Sequence, residues 1–489
     1  MKRKYLWLSV LVFIALLFSV PAYHLLKTKS KETGLPARVP KGYSDDASKL
    51  NQTAIDTLIK VETDSAALIK QLRELLQYAR QNDLKVSLAG AKHSMGGHTL
   101  FPGGIVVNML PYKHMYLDTL RNILHIGSGA LWEDALYFLD QYGRSVAIMQ
   151  AFSSFSVGGS LSVNGHGWQK DVPPLASSVK AFTLMNADGK ILNCSRDENE
   201  ELFDLVLGGY GLFGIILDVE LHVVRNQALR YKYVAVSAKN YLDYYKKMIR
   251  ENPNVDLVFG RLRISGKGFL DEAILNYFER TSEAIPPMTP KEDQQLESSR
   301  LVFRSSVNSE YGKRLRWDLE RGMNKLNLNT VFSRNELLND PVSMIENKDS
   351  NSTDILHEYF IPVRNFNAYL GAIKPILKAS RIDLLNITIR AVQTDIDSYL
   401  NYAREPVFGF VYLFNQLKTP EDEEAMRELT NALTDIAIQL DGTFYLPYRL
   451  HVSPNKMRMA YPKADAFFAL KRKYDPEERF DNLFYEHYR

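Results

Sequence analysis

The sequence has a single cysteine, Cys194, so it can form neither an intrachain disulfide nor a multi-cysteine metal site. Its ten histidines are scattered, and none falls in a His-Glu-x-x-His pattern, so no catalytic metal is expected. There is no excess of charge of one sign. Against 60 basic residues stand 57 acidic ones, and a net charge of +3 leaves no electrostatic footprint for nucleic acid. No internal repeat is visible. What remains is ordinary globular material: 45% apolar and 24% charged residues, with 27 tyrosines that suit a large core or a ring-lined cavity. A chain of 489 residues exceeds what one core usually reaches, so two domains are expected.

The N-terminus carries the longest apolar run. Lys2, Arg3 and Lys4 precede Leu6 to Leu26, and Lys27, Lys29 and Lys31 follow. A run of about 20 residues is long enough to span a hydrocarbon core. An uncleaved signal-anchor over residues 1–26 is the favoured reading. A cleaved signal peptide, with Ser19-Val20-Pro21-Ala22 as cleavage site, is the alternative, and both export the rest of the chain. Basic residues at both ends leave a cytoplasmic orientation open. Residues 27–50, with Pro36, Pro40 and Gly42, read as a tether.

From Asp64, a plausible N-cap, the stripe Ala67, Leu68, Leu72, Leu75, Leu76 and Ala79 predicts an amphipathic helix. A short strand over 85–89 runs into Gly90-Ala91-Lys92-His93-Ser94-Met95-Gly96-Gly97. There, backbone N–H groups can converge on a phosphate. Strands are expected at 105–109 and 123–127, and a helix from Leu131 to Tyr142. A second glycine-rich turn runs from Val157 to Gly167 and includes Gly158, Gly159, Ser160, Ser162, Asn164, Gly165 and His166. Few side chains obstruct it, so a ligand can approach its backbone closely. Asn186-Ala187-Asp188-Gly189 reads as a hairpin turn. Gly209-Tyr210-Gly211-Leu212-Phe213-Gly214 has dinucleotide-type glycine spacing, but a helix precedes it and a strand follows. The context is reversed, so it is not a Rossmann fingerprint. Residues 282–300 and 347–354 read as loops. A helix through Ala464, Phe467, Phe468 and Leu470 stops before Tyr474-Asp475-Pro476.

In order and spacing, residues 50–225 resemble the FAD-binding domain of the vanillyl-alcohol oxidase and p-cresol methylhydroxylase (PCMH-type) family. The segments that carry the likeness are the Gly-x-x-His-Ser turn, Val157-Gly158-Gly159-Ser160-Leu161 with Asn164-Gly165-His166-Gly167, and Gly209-x-Gly211-Leu212-x-Gly214-Ile215-Ile216. Tyr474-Asp475-Pro476 with Arg479-Phe480-Asp481-Asn482 resembles the family's closing segment. The resemblance implies an α+β fold. A two-lobed FAD-binding domain would occupy residues 51–226 and an α+β substrate-binding cap 227–440. Residues 441–489 would return to the FAD domain, and a hydrophobic helix would precede the whole.

The chain looks nearest the aldonolactone and alditol oxidase branch. Ile387-Thr388-Ile389-Arg390 stands where that branch has Glu-x-Arg, with Thr388 replacing the glutamate. Pro447-Tyr448-Arg449-Leu450-His451 stands where it has Pro-His-Trp-x-Lys. The resemblance implies FAD as cofactor, held by residues 90–97, by the second turn and by Gly214 and Ile215. It makes His93 a possible covalent attachment point; a histidine that only contacts the ring or a phosphate is the alternative. His166 would lie near the isoalloxazine. Arg390 would stabilise anionic reduced flavin or hold a substrate oxygen, and Tyr448 and His451 are candidate bases, with Glu358 a further cap candidate. His98, His114, His125 and His222 are expected to be structural. The expected partners are a small organic substrate, oxygen or a quinone or protein electron acceptor, and a membrane through the N-terminal segment.

Overall fold

The computed structural model describes residues 19–30, 39–290 and 292–489. Most of the apolar run Leu6 to Leu26 lies outside the described residues. Among those described, no helix is long and apolar enough to cross a membrane, so the expected hydrophobic helix is not substantiated. Residues 19–30 are helical.

The first lobe is a three-stranded parallel sheet, with Ile105–Asn108 between Thr57–Lys60 and Val86–Ala89. Helix Ser65–Gln81 covers it. Asp64 caps that helix by accepting from the N–H groups of Ala66 and Ala67. Leu68, Leu72, Leu75, Leu76 and Ala79 are buried together with Val86, Ile105 and Val107. The second lobe is a six-stranded antiparallel sheet centred on Ile215–Arg225, which pairs with Val179–Met185, Ile123–Gly127 and Arg144–Val146. The hairpin turn at 186–189 joins Val179–Met185 to Ile191–Ser195, and Gly189 has a positive φ of 74°. Helix Glu200–Val206 precedes the glycine-spaced segment and strand Ile215–Arg225 follows it, the reverse of a dinucleotide fingerprint.

An eight-stranded antiparallel sheet forms the third part, in the order 331–333, 228–237, 272–280, 255–262, 383–392, 407–417, 352–362 and 443–444. Separate helices and sheets of this kind make the fold α+β. The C-terminal segment lies along the first lobe. Val86 N–H donates to the Arg479 carbonyl at 2.8 Å, and Ser87 Oγ donates to the Asp481 carbonyl at 2.7 Å.

Four local expectations are corrected. Of the supposed tether, residues 43–50 are built into the protein. Buried Asp46 accepts from the Gly97 N–H at 2.8 Å and from Asn51 Nδ2 at 2.7 Å, while Thr353 Oγ1 donates to the Ser48 carbonyl at 2.6 Å. The second half of the expected loop 282–300 is helical, within helix Asp293–Arg304. Polar residues make the inner face of this helix: Arg300 and Arg304 are buried, and Arg304 pairs with Asp354 at 2.5 Å, so hydropathy conceals it. The expected loop at 347–354 ends early, since a strand begins at Ser352. The second glycine turn opens with a short helix, Val157–Ser162, in which Gly158 and Gly159 pack against Ser128 and Ser156.

Candidate functional site

Both glycine segments border one cavity, which lies between the two lobes and the large sheet and is partly open to solvent. They also touch each other. A Cβ at Gly90 would lie 2.0 Å from Ser156 Oγ, and the Ala91 N–H donates to that same oxygen at 3.3 Å. Gly158 packs as closely on Ser128, where a Cβ would come within 2.8 Å of the serine Cβ. Glycine is required here for close approach of chains, and the approach leaves backbone facing the cavity.

Gly90, Ala91, Lys92, His93 and Ser94 line the cavity. Lys92 has a positive φ of 56°, and its ammonium donates to Ser44 Oγ at 2.6 Å. The His93 ring packs on Phe155 with centroids 4.2 Å apart, and burial pushes its pKa down to about 4. Met95, Gly96 and Gly97, also expected at the cofactor, lie behind the wall. The Met95 N–H donates to the Pro447 carbonyl, Gly96 backs onto the Tyr448 carbonyl, and Gly97 backs onto Leu483. This stretch is where the chain's two ends lock together.

From the second segment Gly158, Gly159, Ser160, Ser162 and His166 line the cavity. Val157 is fully buried in the core. Asn164 is a buried brace, donating to Asp395 at 2.9 Å and accepting from the Ala176 N–H at 2.9 Å. Gly165 packs on Gln150. Gly214 turns its α-carbon toward the Met185 carbonyl, while Ile215 next to it reaches the cavity. Ile215 joins Leu88, Met109, Tyr210 and Ile216 in an apolar portion of the wall. His98, expected to be structural only, also lines the cavity, and burial pushes its pKa to about 3. His114 instead pairs with Asp218 at 2.9 Å, outside the cavity.

The large sheet brings Arg390 and Glu358 to the same wall. Strands 383–392 and 352–362 both pair with 407–417. Thr388 and Glu358 stand opposite the same residue, Val411, and Arg390 stands opposite Gly409. Cross-strand partners share a face, so Glu358 supplies a carboxylate to the face that carries Thr388 and Arg390. Gly409 makes room for the Phe360 ring beside it: a Cβ there would lie 3.2 Å from the ring. Thr388 itself is engaged within the sheet, accepting from its cross-strand partner Arg261 Nη1 at 3.1 Å.

Glu358 is buried at the centre of a polar cluster. His166 Nε2 lies 2.5 Å from its Oε1, and the Tyr448 hydroxyl donates to its Oε2 at 3.1 Å. Arg390 Nη1 donates to the His166 carbonyl at 3.4 Å. Burial works to raise the Glu358 pKa, but His166, Arg390 and Tyr448 outweigh it and hold the carboxyl below its ordinary range. Burial, with the Glu358 charge adding to it, pushes the Tyr448 phenol well above its ordinary value.

His451 is not brought to this cluster. Its Nε2 lies 2.8 Å from Glu423 Oε1 and its Nδ1 3.1 Å from Thr430 Oγ1. Arg449 binds the same glutamate and donates to Asn51 Oδ1 at 2.6 Å. His451 therefore clasps the C-terminal segment to helix Pro420–Gln439, and burial lowers its pKa despite the facing carboxylate. Sequence reasoning missed Thr99, Ser128, the 150–155 loop and Tyr445 as wall residues. Only Ser128, beside Gly127 and Gly129, has a glycine-rich context that could have flagged it.

The wall suits an elongated ligand with polar groups. Among the described residues, Thr99 Oγ1, Ser128 Oγ, His166 Nδ1 and Arg390 Nε are buried without a hydrogen-bond partner, and all four residues line the cavity. Buried polar atoms are rarely left so. Glycine-cleared backbone, apolar side chains and unpaired donors together fit a flavin dinucleotide, and so define the class as a flavoprotein.

Residues 65–195 match the family of FAD binding domains. This match supports FAD as the cofactor. The chain is 26% identical over 251 residues to an uncharacterized oxidoreductase of the fasciation locus of Rhodococcoides fascians, covering 50% of this chain and 55% of the relative. It is 35% identical over 148 residues to cytokinin dehydrogenase 2 of Arabidopsis thaliana, covering 30% of each. It is 30% identical over 156 residues to L-gulonolactone oxidase of Mus musculus, covering 32% of this chain and 36% of the relative. The matched region thus spans about half or less of these relatives' lengths.

Proposed function

We propose that the protein is an FAD-dependent oxidoreductase that oxidises a small alcohol, lactone or polyol-like substrate at a C–H bond beside oxygen. Bound FAD supplies the two-electron acceptor for the hydride. The chain's own residues do the rest. Glu358 takes the hydroxyl proton as the carbon loses hydride, and His166, Arg390 and Tyr448 around it keep it ionised for that task. Arg390 offers its unpaired Nε–H to the substrate oxygen, where negative charge develops. His166 and Tyr448 hold the carboxylate in one orientation. Tyr445 narrows the cavity beside them, its ring 5.6 Å from that of Tyr448.

The observation that carries this reading is the cluster of buried Glu358 and His166 with half-buried Arg390 and Tyr448, in the wall of the same cavity that both glycine segments line. The cofactor is reoxidised by oxygen or by a quinone or protein acceptor, and peroxide formed under air during turnover separates the two. The test is anaerobic mixing with a panel of alcohols, lactones and polyols while the flavin absorbance is followed. Bleaching by at least one compound, slowed about 100-fold or more in Glu358→Gln with FAD still bound, supports the reading. Bleaching at the same rate in both proteins overturns the role of Glu358.

A further inference from the structure

Helix Glu310–Leu326 turns Trp317 into the protein and presents a second, apolar stripe outward. At the helical period, Tyr311, Leu315, Leu319, Met323 and Leu326 fall within an arc of about 120°. The first turn of this stripe is covered by the N-terminal helix 19–30. The His24 ring meets Tyr311 edge-on at 5.1 Å, and His24 Nε2 lies 2.8 Å from the Ser305 carbonyl oxygen. Gly312 clears the passage, since a Cβ there would sit 2.9 Å from His24 Nε2.

Beyond that turn the stripe is bare. Leu319 is 42%, Met323 51% and Leu326 77% exposed. Val20, Tyr23 and Leu26 of the N-terminal helix are exposed as well. Arg314, Arg321 and Lys325, all exposed, flank the stripe on one side and outnumber the one exposed carboxylate on that edge, Asp318. Apolar side chains edged by exposed cations suit a helix lying in the plane of an anionic bilayer surface, with the acyl boundary under one and the headgroups against the other.

The sequence indicates the occupant. The apolar run that begins at Leu6 ends inside helix 19–30, the helix that is docked on the first turn of this stripe. Leu326 lies only about 22 Å along the helix from Tyr311, so a membrane taking up the apolar residues that precede the docked helix is within reach of the whole stripe. We propose that the outer face of Glu310–Leu326, together with helix 19–30, is a docking surface for an anionic lipid bilayer. This is independent of the FAD reading.

The test uses the full chain loaded with FAD and carrying Leu326→Cys labelled with an environment-sensitive dye. Cys194 is fully buried and its thiol is pushed up to about 12, so it stays unlabelled. The reference is the dye at Leu120→Cys, a position 94% exposed on the FAD-binding part. The protein is mixed with phosphatidylcholine vesicles, with and without phosphatidylglycerol, that contain a lipid with a nitroxide on its acyl chain. We expect quenching at 326 to exceed that at 120 several-fold with phosphatidylglycerol present, and to fall when Arg321 and Lys325 are both changed to Glu. Equal quenching at the two positions overturns the proposal. So does shielding of the 326 dye without lipid together with a doubled mass, which would assign the stripe to a second copy of the chain.

Discussion

Glu358 has three polar neighbours, and its charge state follows from them. Because its folded pKa is lowered, the carboxylate persists below the ordinary glutamate range and is lost only as pH falls through that lowered value. The acid limb of kcat is therefore expected below the ordinary glutamate range. Replacing Arg390 with Met removes one of the stabilising charges, so the limb should move to higher pH while kcat falls. A limb that stays in place would show that Arg390 does not tune the carboxylate. His93 sits in the cavity wall with its imidazole held neutral at physiological pH, the form that can act as a nucleophile. As the flavin attachment point it predicts a yellow pellet on acid precipitation and a yellow supernatant from His93→Ala. A yellow supernatant from the unaltered protein would mean that His93 only contacts the cofactor. Arg390, His93 and His166 could be singled out from short motifs. The central position of Glu358 could not, because its neighbours come from three separate parts of the chain and meet only through strand register and the C-terminal turn.

Among the elements, the C-terminal segment closes the FAD-binding part through a buried ion pair. Lys471 and Asp475 are fully buried, and Asp475 Oδ2 also accepts from the Phe480 N–H at 2.8 Å. This fixes the turn that delivers Phe480 beside Val86. Removing one partner leaves a buried charge uncompensated, so Lys471→Met should cost about 3–5 kcal/mol in denaturant unfolding. A loss below about 1 kcal/mol would show that the turn holds without the pair. The elements that sequence reasoning read well are those whose burial follows hydropathy, such as helix Ser65–Gln81 with its Asp64 cap and leucine stripe. It failed where polar groups are buried. Residues 43–50 look like a linker because Asp46 and Ser48, rather than apolar side chains, bind them to the protein. His451 looked catalytic by its place in a motif, yet a facing carboxylate from helix Pro420–Gln439 holds it away from the cavity. No spacing in one sequence reports a partner 28 residues upstream.

For the whole molecule, the two glycine segments, the C-terminal return and the large sheet enclose one space, so a ligand there should stabilise all of them together. At about 100-fold excess over its Kd, FAD should add roughly 2.7 kcal/mol to unfolding, seen as a higher Tm than for apoprotein. An unchanged Tm would mean that the cavity does not hold the cofactor. The most direct measurement is the flavin content of purified protein set beside that of Gly90→Val, whose side chain would have to occupy the 2.0 Å approach to Ser156 Oγ. The account predicts one FAD per chain for the unaltered protein and little or none for the folded variant. A colourless protein that takes up no added FAD, or a variant with full flavin content, would contradict it.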